Sequence, residues 1–79
     1  MGQQDLPLQP GRLHIRVFES FGWVVRRSKK NHFVLTHPGK SGVLLSIPDH
    51  PEVARGTLRA QLRRAGLTDE EYRARFDAL

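Results

Sequence analysis

The sequence predicts an α+β domain: a three-stranded antiparallel sheet with helices on one face, ordered α-β-β-β-α, with a short third helix at the end. Three observations carry this. Apolar residues recur at helical spacing on both sides of a central stretch where they alternate with period two. Two polar turn clusters cut that stretch into strands. At 79 residues the chain has room for one domain and one core. Residues 1–11, with Pro7 and Pro10 and no periodicity, read as a flexible leader before a single domain at 12–79. The first helix is predicted over Arg12–Phe21, where Leu13, Val17, Phe18 and Phe21 form one stripe, and Gly22 supplies the residue that commonly ends a helix in a left-handed conformation.

Trp23-Val24-Val25-Arg26 reads as a short first strand, and Ser28-Lys29-Lys30-Asn31 as a polar break. Over His32–His37 the pattern alternates, with Phe33 and Leu35 on one face and His32, Val34 and Thr36 on the other. Pro38-Gly39-Lys40-Ser41-Gly42 is a turn cluster. A third strand, Val43–Ile47, places Val43, Leu45 and Ile47 together. Pro48-Asp49-His50-Pro51 cannot continue a sheet interior and is expected to be a loop.

The next segment, from Pro51 or Gly56 to Ala65, has Ala54, Leu58, Leu62 and Ala65 on one helical face. Gly66 with Leu67 behind it is the Schellman pattern. Thr68-Asp69-Glu70-Glu71 then forms a capping box, and Leu67 and Tyr72 occupy the positions of a hydrophobic staple. Tyr72, Phe76 and Leu79 continue that stripe.

Composition narrows the function classes. There is no cysteine, hence no disulfide framework, Cys-based zinc site or thiol nucleophile. Apolar residues make up 38 %, enough for a core, while runs such as Trp23-Val24-Val25 fall far short of the ~18 residues that cross a bilayer. The polar start Met1–Asp5 lacks the basic and apolar regions of a secretion signal, so a cytoplasmic location is expected, with no membrane partner. Formal net charge is +5, and it is divided: residues 1–67 carry +7 and residues 68–79 carry −2. Ten of the 13 basic residues are arginine, whose forked donors suit phosphate oxygens. The charge favours a polyanionic partner, although high arginine usage equally fits a GC-rich genome.

The four histidines, His14, His32, His37 and His50, lack metal-ligand spacing, no phosphate-binding glycine loop or nucleophile elbow is present, and no carboxylate pair falls inside the predicted sheet. No metal or cofactor is expected. What remains is a basic surface containing histidine. Arg26, Arg27, Lys29, Lys30 and Asn31 lead directly into His32, whose face lies opposite Phe33 and Leu35 and so points away from the core. Imidazole titrates near neutrality, and metal-free RNA cleavage needs a base for the ribose 2′-OH and cations for the charge on phosphorus. His50 is a second acid–base candidate or a group that fixes its loop, whereas His14 and His37 read as structural or incidental. Arg55, Arg59 and Arg63 form a ridge of like charges four residues apart, a small cost that an anion would relieve. That ridge is either a solvated face or an extension of an RNA footprint. The same residues also fit a non-catalytic RNA-binding module or a structural DNA-binding subunit.

From about Leu13 to Phe76 the chain resembles the HicA family, the small toxin ribonucleases of bacterial HicA–HicB toxin–antitoxin pairs. The resemblance rests on Phe21-Gly22-Trp23, Lys30-Asn31-His32, His37-Pro38-Gly39, Ile47-Pro48-Asp49-His50, and Gly56-Thr57-Leu58-Arg59 through Ala65-Gly66-Leu67. It implies a double-stranded-RNA-binding-domain-like fold and a metal-independent endoribonuclease acting on mRNA. It also implies a single catalytic histidine, corresponding to His32, and a HicB-like antitoxin that covers the site. The family typically has Gly-Ser-His where this chain has Lys30-Asn31-His32, and often a second histidine where Phe33 stands.

Overall fold

A computed structural model describes residues 6–79. Its elements are α1 (Gly11–Ser20), β1 (Val24–Lys29), β2 (His32–His37), β3 (Lys40–Pro48), α2 (Arg55–Ala65) and α3 (Asp69–Ala78), with the strands in one antiparallel sheet of order β1-β2-β3. The α+β class and element order are as the sequence predicts. Among the described residues no helix is long and apolar enough to cross a membrane.

The core lies between the sheet and the helices. Cross-strand partners Phe33↔Ile47 and Leu35↔Leu45 turn one sheet face toward α1 and α2. Leu35, Leu45 and Ile47 are buried there with Ile15, Val17, Phe18, Trp23, Leu58 and Leu62. α3 touches the two other helices and no strand. Its anchor is Tyr72, fully buried against Phe18 and His14.

Because α1 is covered by both sheet and α3, its buried arc is wider than the predicted stripe. His14, Ile15, Val17 and Phe18 are enclosed, while Leu13 and Phe21 are only half-buried. The Arg75 guanidinium stacks 4.2 Å from the Phe21 ring and donates to the Ser20 carbonyl at 2.6 Å, closing the end of α1. Ala54, expected on the α2 stripe, is the exposed residue before the helix begins.

Helix ends follow their sequence signals. Gly22 has φ 97° and Gly66 φ 78°. In each case the two amides beyond the helix bond back to it: Gly22 to Glu19 and Trp23 to Phe18, Gly66 to Arg63 and Leu67 to Leu62. The Thr68–Glu71 capping box forms in both directions, at 3.0 and 2.8 Å.

The turns are tighter than expected, which lengthens the strands. Ser28 and Lys29 belong to β1, and only Lys30 and Asn31 make the turn. Lys40 already pairs with His37, and the surplus residues before Leu45 are absorbed around Gly42 at φ 81°. In β1, Val25 faces Leu35 and Arg27 faces Val34, so Arg26 is the extra residue of a bulge.

Part of the expected leader is docked. Leu6 is fully buried and Pro7 buried, the Leu6 carbonyl accepts from Arg55 Nε at 2.6 Å, and the Gln9 carbonyl accepts from the Val53 amide at 2.9 Å. A single apolar residue ahead of Pro7 contributes to the core without leaving any period in the sequence. The rest of that expectation, residues 1–5, lies outside the described residues.

Candidate active site

His32 is the first residue of β2, immediately after the Lys30-Asn31 turn, and is exposed. It sits between Lys29 on β1 and Pro48 on β3. Paired residues share a sheet face, so His32 and Lys29 lie with the pair Arg27–Val34 on the face opposite the helices. The sequence-based placement of His32 away from the core therefore holds.

The turn is built on a lysine in a left-handed conformation. Lys30 has φ 53°, the only positive φ outside glycine among the described residues. Positive φ at the first of two central turn residues is the pattern for which glycine is the normal choice. Lys30 thus accepts a backbone strain and adds an ammonium beside His32.

The turn is also fixed from behind. The Asp49 amide donates to the Asn31 carbonyl at 2.7 Å. The Asp49 carboxylate accepts two bonds of 3.2 Å from Arg12 Nε and Nη2, and the Arg12 guanidinium lies 5.5 Å from the Phe33 ring. Both the hydrogen bonding and the charge of Asp49 raise the Arg12 pKa, so this cation stays charged. The Gly11 amide donates to the His50 carbonyl at 3.0 Å, and a side chain on Gly11 would collide with the Pro48 carbonyl. The loop after β3 is therefore clamped between the start of β2 and the start of α1. Loop fixing by His50 runs through its carbonyl, leaving the imidazole exposed. Sequence reasoning missed Arg12 and the role of Asp49, because nothing local relates residues 37 positions apart.

The other two histidines are built into the structure. His37 Nδ1 accepts from the Gly39 amide at 2.9 Å, so Nε2 carries the proton and donates to the Phe21 carbonyl at 2.9 Å. Its ring meets Trp23 edge-on at 5.1 Å. His14 Nδ1 shares a 2.6 Å hydrogen bond with the Tyr72 hydroxyl, while Nε2 is buried without a partner among the described residues. Burial lowers the His14 pKa to about 4 and raises that of Tyr72. Among the described residues no three His, Asp or Glu converge as metal ligands.

The cations divide into two groups. Arg59 and Arg63 both reach Asp69, at 3.0 and 3.3 Å, so the ridge has found its anion inside the protein. Arg55 is turned to the Leu6 carbonyl, and Arg64 to the Leu44 carbonyl at 2.9 Å. Arg26, Arg27, Lys29 and Lys30 are exposed and have no carboxylate partner among the described residues. The structure therefore gathers His32, Asn31 and these four cations on one hairpin, and assigns the α2 ridge largely to internal contacts.

No curated protein gave a match to the chain. Residues 11–67 match the family model described as the HicA toxin of bacterial toxin-antitoxin. That stretch runs from the first residue of α1 through the turn after α2, taking in the whole sheet and both clamps on the His32 hairpin. With well over half the chain matched, the protein belongs to the HicA toxin family.

Proposed function

We propose that the protein is an endoribonuclease toxin that cleaves mRNA without a metal, using His32 as its proton-transfer group, and that a HicB-like antitoxin neutralises it. One juxtaposition supports this reading: an exposed imidazole on the helix-free sheet face with Lys29 and Arg27, on a hairpin that also carries Arg26 and Lys30, the four cations having no carboxylate partner among the described residues, in a HicA-family chain. His32 takes the proton of a ribose 2′-OH, the resulting oxygen attacks the adjacent phosphorus, and the bond to the 5′ oxygen breaks. His50, two residues beyond the Pro48 that pairs with His32, is the proposed proton donor to that departing oxygen. Acid–base help of this kind contributes about 10²–10⁴-fold. Lys29, Lys30, Arg26 and Arg27 neutralise the charge that builds on phosphorus, and Asn31 offers a short polar group next to it.

The α2 ridge adds outer contacts only, chiefly through Arg63, whose side chain is 61 % exposed. The replacement of the family's Gly-Ser by Lys30-Asn31 leaves room for a non-catalytic RNA-binding module. Controlled expression in bacteria separates the readings. Wild type should arrest growth and deplete transcripts while His32→Ala does neither. Equal effects from both would remove His32 from catalysis, and no effect from either would favour the binding module.

A further inference from the structure

The two edges of the sheet are finished differently. Along β3, side chains from α2 take the place of a neighbouring strand: Gln61 Oε1 accepts from the Ser46 amide at 2.9 Å, and Arg64 Nε donates to the Leu44 carbonyl at 2.9 Å. Along β1 nothing comparable occurs. Among the described residues β1 pairs only with β2, and no side chain bonds to the backbone of Val24–Lys29. An open edge is a template for another strand, and here charge and the bulge at Arg26 discourage any strand but a complementary one. This edge carries Arg26, Arg27 and Lys29, continues into Lys30, and contains no acid. A second copy of β1 would set those cations against themselves, whereas an acidic strand would meet a complementary edge.

We infer that the outer edge of β1 is the docking strip for an extended, acidic segment of a partner protein, which adds a fourth strand to the sheet. Backbone hydrogen bonds supply the pairing, and carboxylates at alternate positions face Arg27 and Lys29. Val24, 44 % exposed on that same face, takes an apolar side chain near the other end of the strip. The docked strand neutralises the cations next to His32. The consequence that it excludes RNA rests on the proposed ribonuclease reading, but the docking itself does not.

RNA and an acidic strand would use the same cations but not the same backbone groups, so the test reads the backbone. The probes are a ten-residue peptide alternating Glu with Val and Thr, and the same peptide N-methylated at every residue, which keeps the charge but removes every backbone donor. Both are titrated against the full chain in the absence of RNA. The expected result is binding that N-methylation weakens at least tenfold, with alternate β1 amides slowed at least tenfold in hydrogen exchange. Arg27→Glu should weaken the acidic peptide at least tenfold and favour a Lys-for-Glu version. Equal affinity for the two acidic peptides, binding by neither, or protection along β3 would overturn the inference. Because no RNA is present, the result is independent of whether His32 is catalytic.

Discussion

The Tyr72 hydroxyl lies 2.6 Å from Nδ1 of His14, joining the last helix to the first inside the core. The pair leaves His14 Nε2 with no partner among the described residues, and burial holds the ring neutral with a pKa of about 4. The folded value lies below the unfolded one, near 6.5, so the unfolded chain binds this proton first. The stability linked to His14 is therefore fully present above pH 6.5 and is lost as pH falls toward 4, to a total of about 3 kcal/mol. Urea unfolding between pH 4 and 7 measures this, and a His14→Leu/Tyr72→Phe double variant should flatten the slope. Tyr72→Phe alone should cost about 1–3 kcal/mol at pH 7 by leaving Nδ1 unpaired.

Lys30 holds a left-handed conformation in the turn before His32. For an L-residue that costs about 1–2 kcal/mol, against about 0.5–1 kcal/mol for the extra unfolded freedom of glycine. Lys30→Gly should therefore raise stability by about 0.5–1 kcal/mol, while Lys30→Ala, which removes the charge but keeps the strain, should not. Chemical denaturation of the two variants compares them directly.

Asp69 draws Arg59 and Arg63 together across the α2–α3 corner. Both guanidiniums are more than one-third exposed, so screening limits the value of the pairing. Asp69→Asn should cost under about 1 kcal/mol, and the loss should shrink in high salt. The variant also frees two cations, so the salt dependence of RNA binding should steepen relative to wild type.

Gly11 is tolerated where no other residue fits, because a side chain there meets the Pro48 carbonyl. Gly11→Ala should destabilise by about 2 kcal/mol or more by prising the β3–α2 loop from α1. Hydrogen exchange at the Asp49 amide, bonded to Asn31, should accelerate with it. Unchanged exchange would show that the loop is held elsewhere.

Elements marked by local chemistry were legible in the sequence. The Thr68 capping box, the glycine stops at Gly22 and Gly66, and the alternation of His32–His37 all depend on neighbours within five residues. The position of His32 on the open face followed from the same alternation. What was not legible depends on contacts distant in sequence. Leu6 in the core, Arg12 held by Asp49, and the ridge neutralised by Asp69 each need the folded chain to bring partners together. The short turns were missed for a different reason: a lysine in a glycine conformation carries no composition signal.

The central claim is that His32 and fixed cations cleave RNA through the ribose hydroxyl without a metal. The most direct measurement incubates the purified full chain with a defined RNA in EDTA, beside the same RNA methylated at every 2′ oxygen and beside His32→Ala. The account predicts cleavage of unmodified RNA by wild type, at least 100-fold slower cleavage by His32→Ala, consistent with loss of an acid–base group, and none of the methylated strand. Cleavage that needs a divalent ion, or that proceeds equally on methylated RNA, would contradict it.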